Sequence, residues 1–161
     1  MKIGIISDSH DRIEKTREAI KILSEKGCSA VIHCGDFCAP FMTDELAAFN
    51  GEVHCIFGNI DDRHSTTKKA EESQINLHGD LLELEKDGRQ LAANHYPKIS
   101  HSLASSGKYD AVFYGHNHTP DKHHIENTLF LNPGEIMGRK NKPSIAIYDT
   151  KTNDAEFLEL S

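Results

Sequence analysis

Two aspartates, one asparagine and four histidines recur along this chain in short polar clusters, nearly all just past an apolar run. In order the clusters are Asp8-Ser9-His10, Gly35-Asp36, Gly58-Asn59-Ile60-Asp61, Asn94-His95 and Gly115-His116-Asn117-His118, with Asn132-Pro133-Gly134 behind them. That placement puts each ligand at the carboxyl end of a strand, where open α/β sheets build their sites. Carboxylates, an amide oxygen and imidazoles, with no thiolate among them, suit two divalent ions that carry out hydrolysis.

Each cluster is weak by itself. Asp8-x-His10 places a carboxylate and an imidazole on one face of a strand, where they can converge on one ion. Read alone, it is better explained as a helix-capping Asp and a stray His. Gly35 and Gly58 let the backbone come close to a ligand beside Asp36 and Asn59, and an Asn offers a neutral oxygen. Gly115-His116-Asn117-His118 is the most telling, because it presents two imidazoles on one side of a loop. Two solvent-exposed histidines are the bland alternative. Five such signals in order, each at a strand end, are not a chance pattern.

The elements that must position these clusters follow from periodicity. Residues 2–7 read as a buried strand, Ala30 to Cys34 as a second and Val53 to Phe57 as a third. Between them Ile13, Ala19, Ile20 and Leu23 recur at helical spacing, with Asp11 and Glu14 as a capping box and Gly27 as the stop. Pro40 opens a second helix with a Phe41, Leu46, Phe49 stripe. This alternation predicts a parallel sheet with right-handed crossovers. Residues 61–73 read as a loop or a short exposed helix. Leu81–Glu85 and Arg89–Ala93 flank Lys86-Asp87-Gly88 as a hairpin. A modest helix over Ile99–Ser106 precedes a strand at Ala111–Tyr114. Two further hairpins pair His123–Ile125 with Leu129–Leu131, and Ser144–Asp149 with Ala155–Leu160.

At 161 residues, with 37% apolar residues in short runs, the chain reads as one soluble, folded domain over residues 1–161. No apolar run reaches the roughly 20 residues of a membrane span, and no signal peptide precedes the first strand, so a cytoplasmic location is expected. A net charge of −7 argues against a basic nucleic-acid surface. It leaves room for a small phosphate-bearing substrate, because two bound dications reverse the sign locally. Cys28, Cys34, Cys38 and Cys55 read as reduced thiols. For Cys34 and Cys38, core packing stands ahead of a functional role.

Taken together, the motifs resemble those of the calcineurin-like metallophosphoesterase family, and more closely its small single-domain phosphodiesterase branch. The family pattern D-x-H, G-D, G-N-x-D, H and G-H-x-H is matched across the chain. The resemblance implies an α/β four-layer sandwich of two mixed β-sheets flanked by helices. It implies that Asp8, His10 and His118 hold one metal, that Asn59, His95 and His116 hold the other, and that Asp36 bridges them. Asp36, Asn59 and His95 form the catalytic subset. The chain departs from the pattern in two places. Asn94 precedes His95 where Gly is usual, and Ile60 stands where larger relatives carry the His that protonates the leaving group.

The expected reaction is hydrolysis of a phosphodiester by a hydroxide bridging two divalent ions roughly 3.5–4 Å apart. Mn²⁺ is the first choice, with Ni²⁺, Mg²⁺, Zn²⁺ or Fe open. The expected partner is a small phosphoester, without nucleic acid or membrane; oligomeric state is left open, a homodimer included. The alternatives are a protein-binding scaffold of the same fold, like a retromer subunit, and a phosphomonoesterase or cyclic-nucleotide phosphodiesterase. All seven ligands are present, which favours an enzyme over a scaffold. The other seven histidines read as structural or solvated, with His123-His124 as the nearest exception. Asn132-Pro133-Gly134 reads as structural, and Arg12, Arg63 and Arg139 read as surface residues that could meet a substrate phosphate.

Overall fold

The run Lys2–Ile6 forms β1, which sits inside a six-stranded sheet between β2 (Ala30–His33) and β10 (Ser144–Asp149). Both faces of β1 are covered, which is why it reads as continuous apolar sequence rather than as an alternation. The computed structural model describes all residues from 1 to 161. β1, β2, β3 (Glu52–Cys55) and β4 (Ile75–Leu77) run parallel, and β10 and β11 (Asp154–Glu159) extend the sheet antiparallel on the other side of β1. The second sheet has the order β5-β6-β7-β9-β8, from β5 (Leu82–Lys86), β6 (Arg89–Ala93), β7 (Ala111–Phe113), β8 (Asp121–Ile125) and β9 (Thr128–Asn132). Its three central strands are parallel, and an antiparallel hairpin partner closes each edge.

Side-chain alternation sorts the strands into layers. Ile3 and Ile5 point between the sheets, where they join Ile32, Phe113, Leu131 and Tyr148. Ile6, Val31 and Val53 point the other way, under α1 (Ile13–Glu25) and α2 (Met42–Ala47). On the far side of the second sheet, Val112 and Phe130 lie under α4 (Pro97–Ala104). The result is helix, sheet, sheet, helix: the four-layer sandwich with two mixed sheets that the motifs imply.

Local departures have physical causes. Asp11 does not cap α1. Its Oδ1 accepts the Ala39 amide at 2.9 Å instead, and Arg12 takes the cap position without a side-chain bond. Pro40 lies in the turn before α2, and Phe41 is 43% exposed rather than part of the buried stripe. Of the two readings of residues 61–73, loop or short exposed helix, the structure takes the helix: α3 (Arg63–Ala70) is started by Asp62, whose side chain accepts the Ser65 amide at 3.0 Å. The short edge strand β4 follows it. The 86–88 turn holds Asp87 and Gly88 at φ 54° and 79°, the left-handed pair that a two-residue hairpin needs.

Candidate metal centre

Each motif lies just past a strand end, and the two sheets bring these ends together. Asp8 follows β1, Asp36 follows β2 and Asn59 lies beyond β3, whereas His95 follows β6, and His116 and His118 follow β7. Backbone bonds lock the loops to each other: Asp8 N to Gly35 O at 3.0 Å, His10 N to Asp36 O at 3.0 Å and Gly115 N to His95 O at 3.2 Å. The His116 amide donates to Asp8 Oδ2 at 3.1 Å, which ties the second sheet to the first. The loops also concentrate unusual backbone. Asp8, His10, Asp11, Asp36, Cys38, His116 and His118 all have φ between 42° and 77°.

All seven expected ligands converge. Asp8 Oδ1 lies 3.2 Å from His118 Nε2 and 3.7 Å from His10 Nε2. Asp36 Oδ2 lies 3.8 Å from His10 Nε2 and 3.4 Å from His95 Nε2, so it faces both halves of the cluster. Asn59 Oδ1 sits 3.1 Å from His95 Nε2 and 2.9 Å from His116 Nδ1. Asp8, His10 and His118 form one group with ligand atoms within 4.8 Å of one another, and Asp8, Asp36 and His95 form another.

The donor set fits divalent ions. Asp8 Oδ1 and His10 Nε2 are buried without an aligned hydrogen-bond partner. Leaving such groups unmet costs roughly 1–3 kcal/mol each, more for a charge, and a cation between them meets both. Burial alone pushes the Asp8 carboxyl up, but the His10 and His118 rings and the Ser7 hydroxyl outweigh it and hold the group well below its ordinary value. Asp36 is likewise pushed up by burial and held low by His95 and the Ile60 amide. Both carboxylates therefore stay ionised side by side. Burial and the neighbouring His95 push His116 down, towards the neutral ring that a metal requires.

A second ring of residues aims the candidate ligands, and most of it escapes sequence reading. His118 turns Nδ1 to the fully buried Glu135 at 2.5 Å, which leaves Nε2 facing Asp8. Glu135 is itself gripped by the amides of Lys140 and Asn141. His95 turns Nδ1 to the Cys34 carbonyl at 2.8 Å, and His10 turns Nδ1 to Cys38 Sγ at 3.6 Å. Cys34 is core, as expected, while Cys38 touches a site histidine. Asp61 accepts the amides of Asp36, Gly58 and Cys38 and so staples two motif loops together. His33, fully buried, accepts the Gly35 amide at Nδ1 and meets Ser9 Oγ at Nε2, 3.0 Å away. Asn132 holds the last motif loop through Gly115 O and Asn117 Oδ1, a structural role as read.

Two glycines are required by close approach. A Cβ on Gly58 would lie 2.6 Å from the Asp36 amide and 2.8 Å from its Cγ, and one on Gly115 would lie 2.7 Å from Asp8 Oδ2. Asn94, by contrast, does without glycine's freedom, since its φ is not positive. Its side chain bonds Asp80 O and the Tyr96 amide, which fixes the loop that carries His95. Arg12 bonds the Met137 carbonyl, Arg63 pairs with Asp80 at 2.6 Å, and Arg139 is exposed. His123 pairs with Asp121 and packs on Phe130 in the outer layer, and His124 is exposed on the same edge strand.

An α/β sandwich whose strand ends converge on seven metal-type ligands defines a metallophosphoesterase. The chain belongs to the calcineurin-like phosphoesterase superfamily, whose domain model matches residues 1–153. A phosphodiesterase of Methanocaldococcus jannaschii is 33% identical over 165 residues, covering 99% of this chain and 99% of that one. The solved structure of an archaeal phosphodiesterase superposes with a TM-score of 0.92 at 31% identity, covering 99% of this chain and 100% of the other. Vps29 of Chaetomium thermophilum superposes with a TM-score of 0.73 at 15% identity, over 92% of this chain and 82% of that one, a likeness of fold alone.

Proposed function

We propose that this protein hydrolyses phosphodiesters with two divalent metal ions, Asp8, His10 and His118 holding one, Asn59, His95 and His116 the other, and Asp36 both. Asp36 carries the reading: one carboxylate oxygen faces His10 on one side and His95 on the other. When bound, the ions supply an acidified water as nucleophile and neutralise the phosphoryl oxygens. The chain's own contribution is orientation. Glu135, the Cys34 carbonyl and Cys38 each hold the outer nitrogen of a site histidine, and Asp61 fixes the backbone on both sides of Asp36.

A diester substrate is supported by the whole-length relative named as a phosphodiesterase. Mn²⁺ is the proposed working ion, because mixed oxygen and nitrogen ligation accepts it. Residues 1–161 are proposed to act as one domain, cytoplasmic in location; no helix is long and apolar enough to cross a membrane. The test is metal counting on the loaded protein, alongside turnover of an aryl phosphodiester. Asp36→Asn should lose both ions, and His118→Ala chiefly one. A single ion in the unsubstituted protein, or normal loading of Asp36→Asn, defeats the dinuclear assignment.

A further inference from the structure

On the half of the cluster lined by Asn59, His95 and His116, two chain neighbours of these residues flank the site: Ile60, exposed, after Asn59, and Tyr96, half-buried, after His95. Ile60 is 48% exposed, and its hydrocarbon side chain carries no hydrogen-bond donor or acid. The Tyr96 ring lies against both imidazoles, its centroid 5.3 Å from that of His95 and 5.3 Å from that of His116, which are themselves 5.1 Å apart. The three rings form a closed triangle around one side of the site. Tyr96 is also held in place from behind: its amide donates to Asn94 Oδ1 at 2.9 Å, its carbonyl accepts Ser100 N at 3.0 Å, and Pro97 follows it at the start of α4.

The hydroxyl is what sets Tyr96 apart. The chain has four tyrosines. Tyr109 gives its hydroxyl to Glu83, Tyr114 to Asp121 and Tyr148 to Asn153. Tyr96 makes its hydrogen bonds through the backbone alone, so its O–H, carried on a ring that packs against two site histidines, has no partner within the protein.

We propose that the Tyr96 hydroxyl donates a hydrogen bond to the ester oxygen of the departing alcohol and so decides which phosphodiesters are turned over. This rests on the phosphodiesterase reading above. The leaving oxygen gathers negative charge as its bond to phosphorus lengthens, and a preorganised donor lowers the barrier most where that charge is largest. A nitrophenolate spreads the charge over its ring and needs the donor little; an alkoxide needs it most.

The experiment compares Tyr96→Phe with the unsubstituted protein at saturating Mn²⁺, on phosphodiesters whose leaving alcohols rise in basicity from nitrophenol to simple alkyl. Bound metal and the thermal midpoint are measured on both proteins. The Phe variant should hold its two ions and its midpoint, lose less than roughly threefold in kcat/KM on the nitrophenyl ester, and lose on the order of 10²-fold on alkyl esters. A loss of equal size along the whole series, or no loss, overturns the proposal. Failure of the unsubstituted protein to cleave any diester with two ions bound overturns the phosphodiesterase reading and this proposal with it, and is told apart by appearing without the substitution.

Discussion

Replacing Gly58 with alanine tests how tightly the cluster is built. The added methyl would meet the Asp36 amide at 2.6 Å, about 0.8 Å inside the 3.4 Å at which ordinary contact begins, and would press harder still on the carboxylate. Neither can yield freely. The amide is bonded to Asp61 Oδ2 at 3.0 Å, and the carboxylate oxygen nearest the methyl already accepts the Ile60 amide at 3.2 Å. Asp36 must therefore shift by an amount approaching 1 Å, a displacement that costs roughly 10²-fold in rate at a positioned group, or about 2.7 kcal/mol of barrier. Overpacking should lower stability by a further ~1–3 kcal/mol. Turnover of an aryl phosphodiester, metal content and urea unfolding together measure these quantities. Alanine at Gly58 with more than half the normal turnover and two bound ions would refute the claim that close packing against this glycine positions Asp36.

Glu135→Gln keeps an oxygen for the amides of Lys140 and Asn141 but takes the charge away from His118 Nδ1. Calorimetric titration with Mn²⁺ should show one binding step weakened by roughly 10–100-fold and the other unchanged; two equally weakened steps would mean that the loop, not His118, was disturbed. Complete burial holds His33 down at about 4, whereas in the unfolded chain it titrates near its ordinary value of about 6.5. The unfolded state therefore binds the extra proton between these values, and stability is full above about pH 6.5 and falls as the pH drops through the window to about 4. The span is worth about 3 kcal/mol. Urea unfolding of metal-free protein should show this slope in the unsubstituted chain and lack that share of it in His33→Gln; equal slopes would mean that His33 titrates normally.

The residues that converge at the candidate site are legible because chemistry restricts residue type and position at once: acids, amides and imidazoles directly after apolar runs. The parallel strands are legible for the related reason that burial on both faces demands unbroken Ile and Val. α3 is legible only as one of two readings, loop or short exposed helix, because Arg63–Ala70 buries only Thr66 and Ala70 and so shows no apolar stripe; its start depends on one capping bond from Asp62. β4 escapes because three residues with only Ile75 buried carry no period. Asp11 misleads because a local capping signal loses to a tertiary bond with Ala39, 28 residues away. Glu135 is hidden for another reason. It meets His118 across 17 residues of hairpin and loop, and nothing in its neighbours marks it as buried.

Seven of the ten non-glycine residues with left-handed backbone lie in the loops that build the site. Each such residue sits at a cost of the order of 1 kcal/mol relative to ordinary backbone. Together they approach the whole net stability of an average domain, which is about 5–15 kcal/mol. The rest of the sandwich must hold these loops in shape by force of packing, so chemistry and robustness pull in opposite directions here. Glycine at Cys38 or His116 would relax the backbone even as it removed the side chain that touches the site. Selection for heat resistance alone would drift towards an inert protein, because the backbone that relaxes most easily is the backbone that shapes the candidate site.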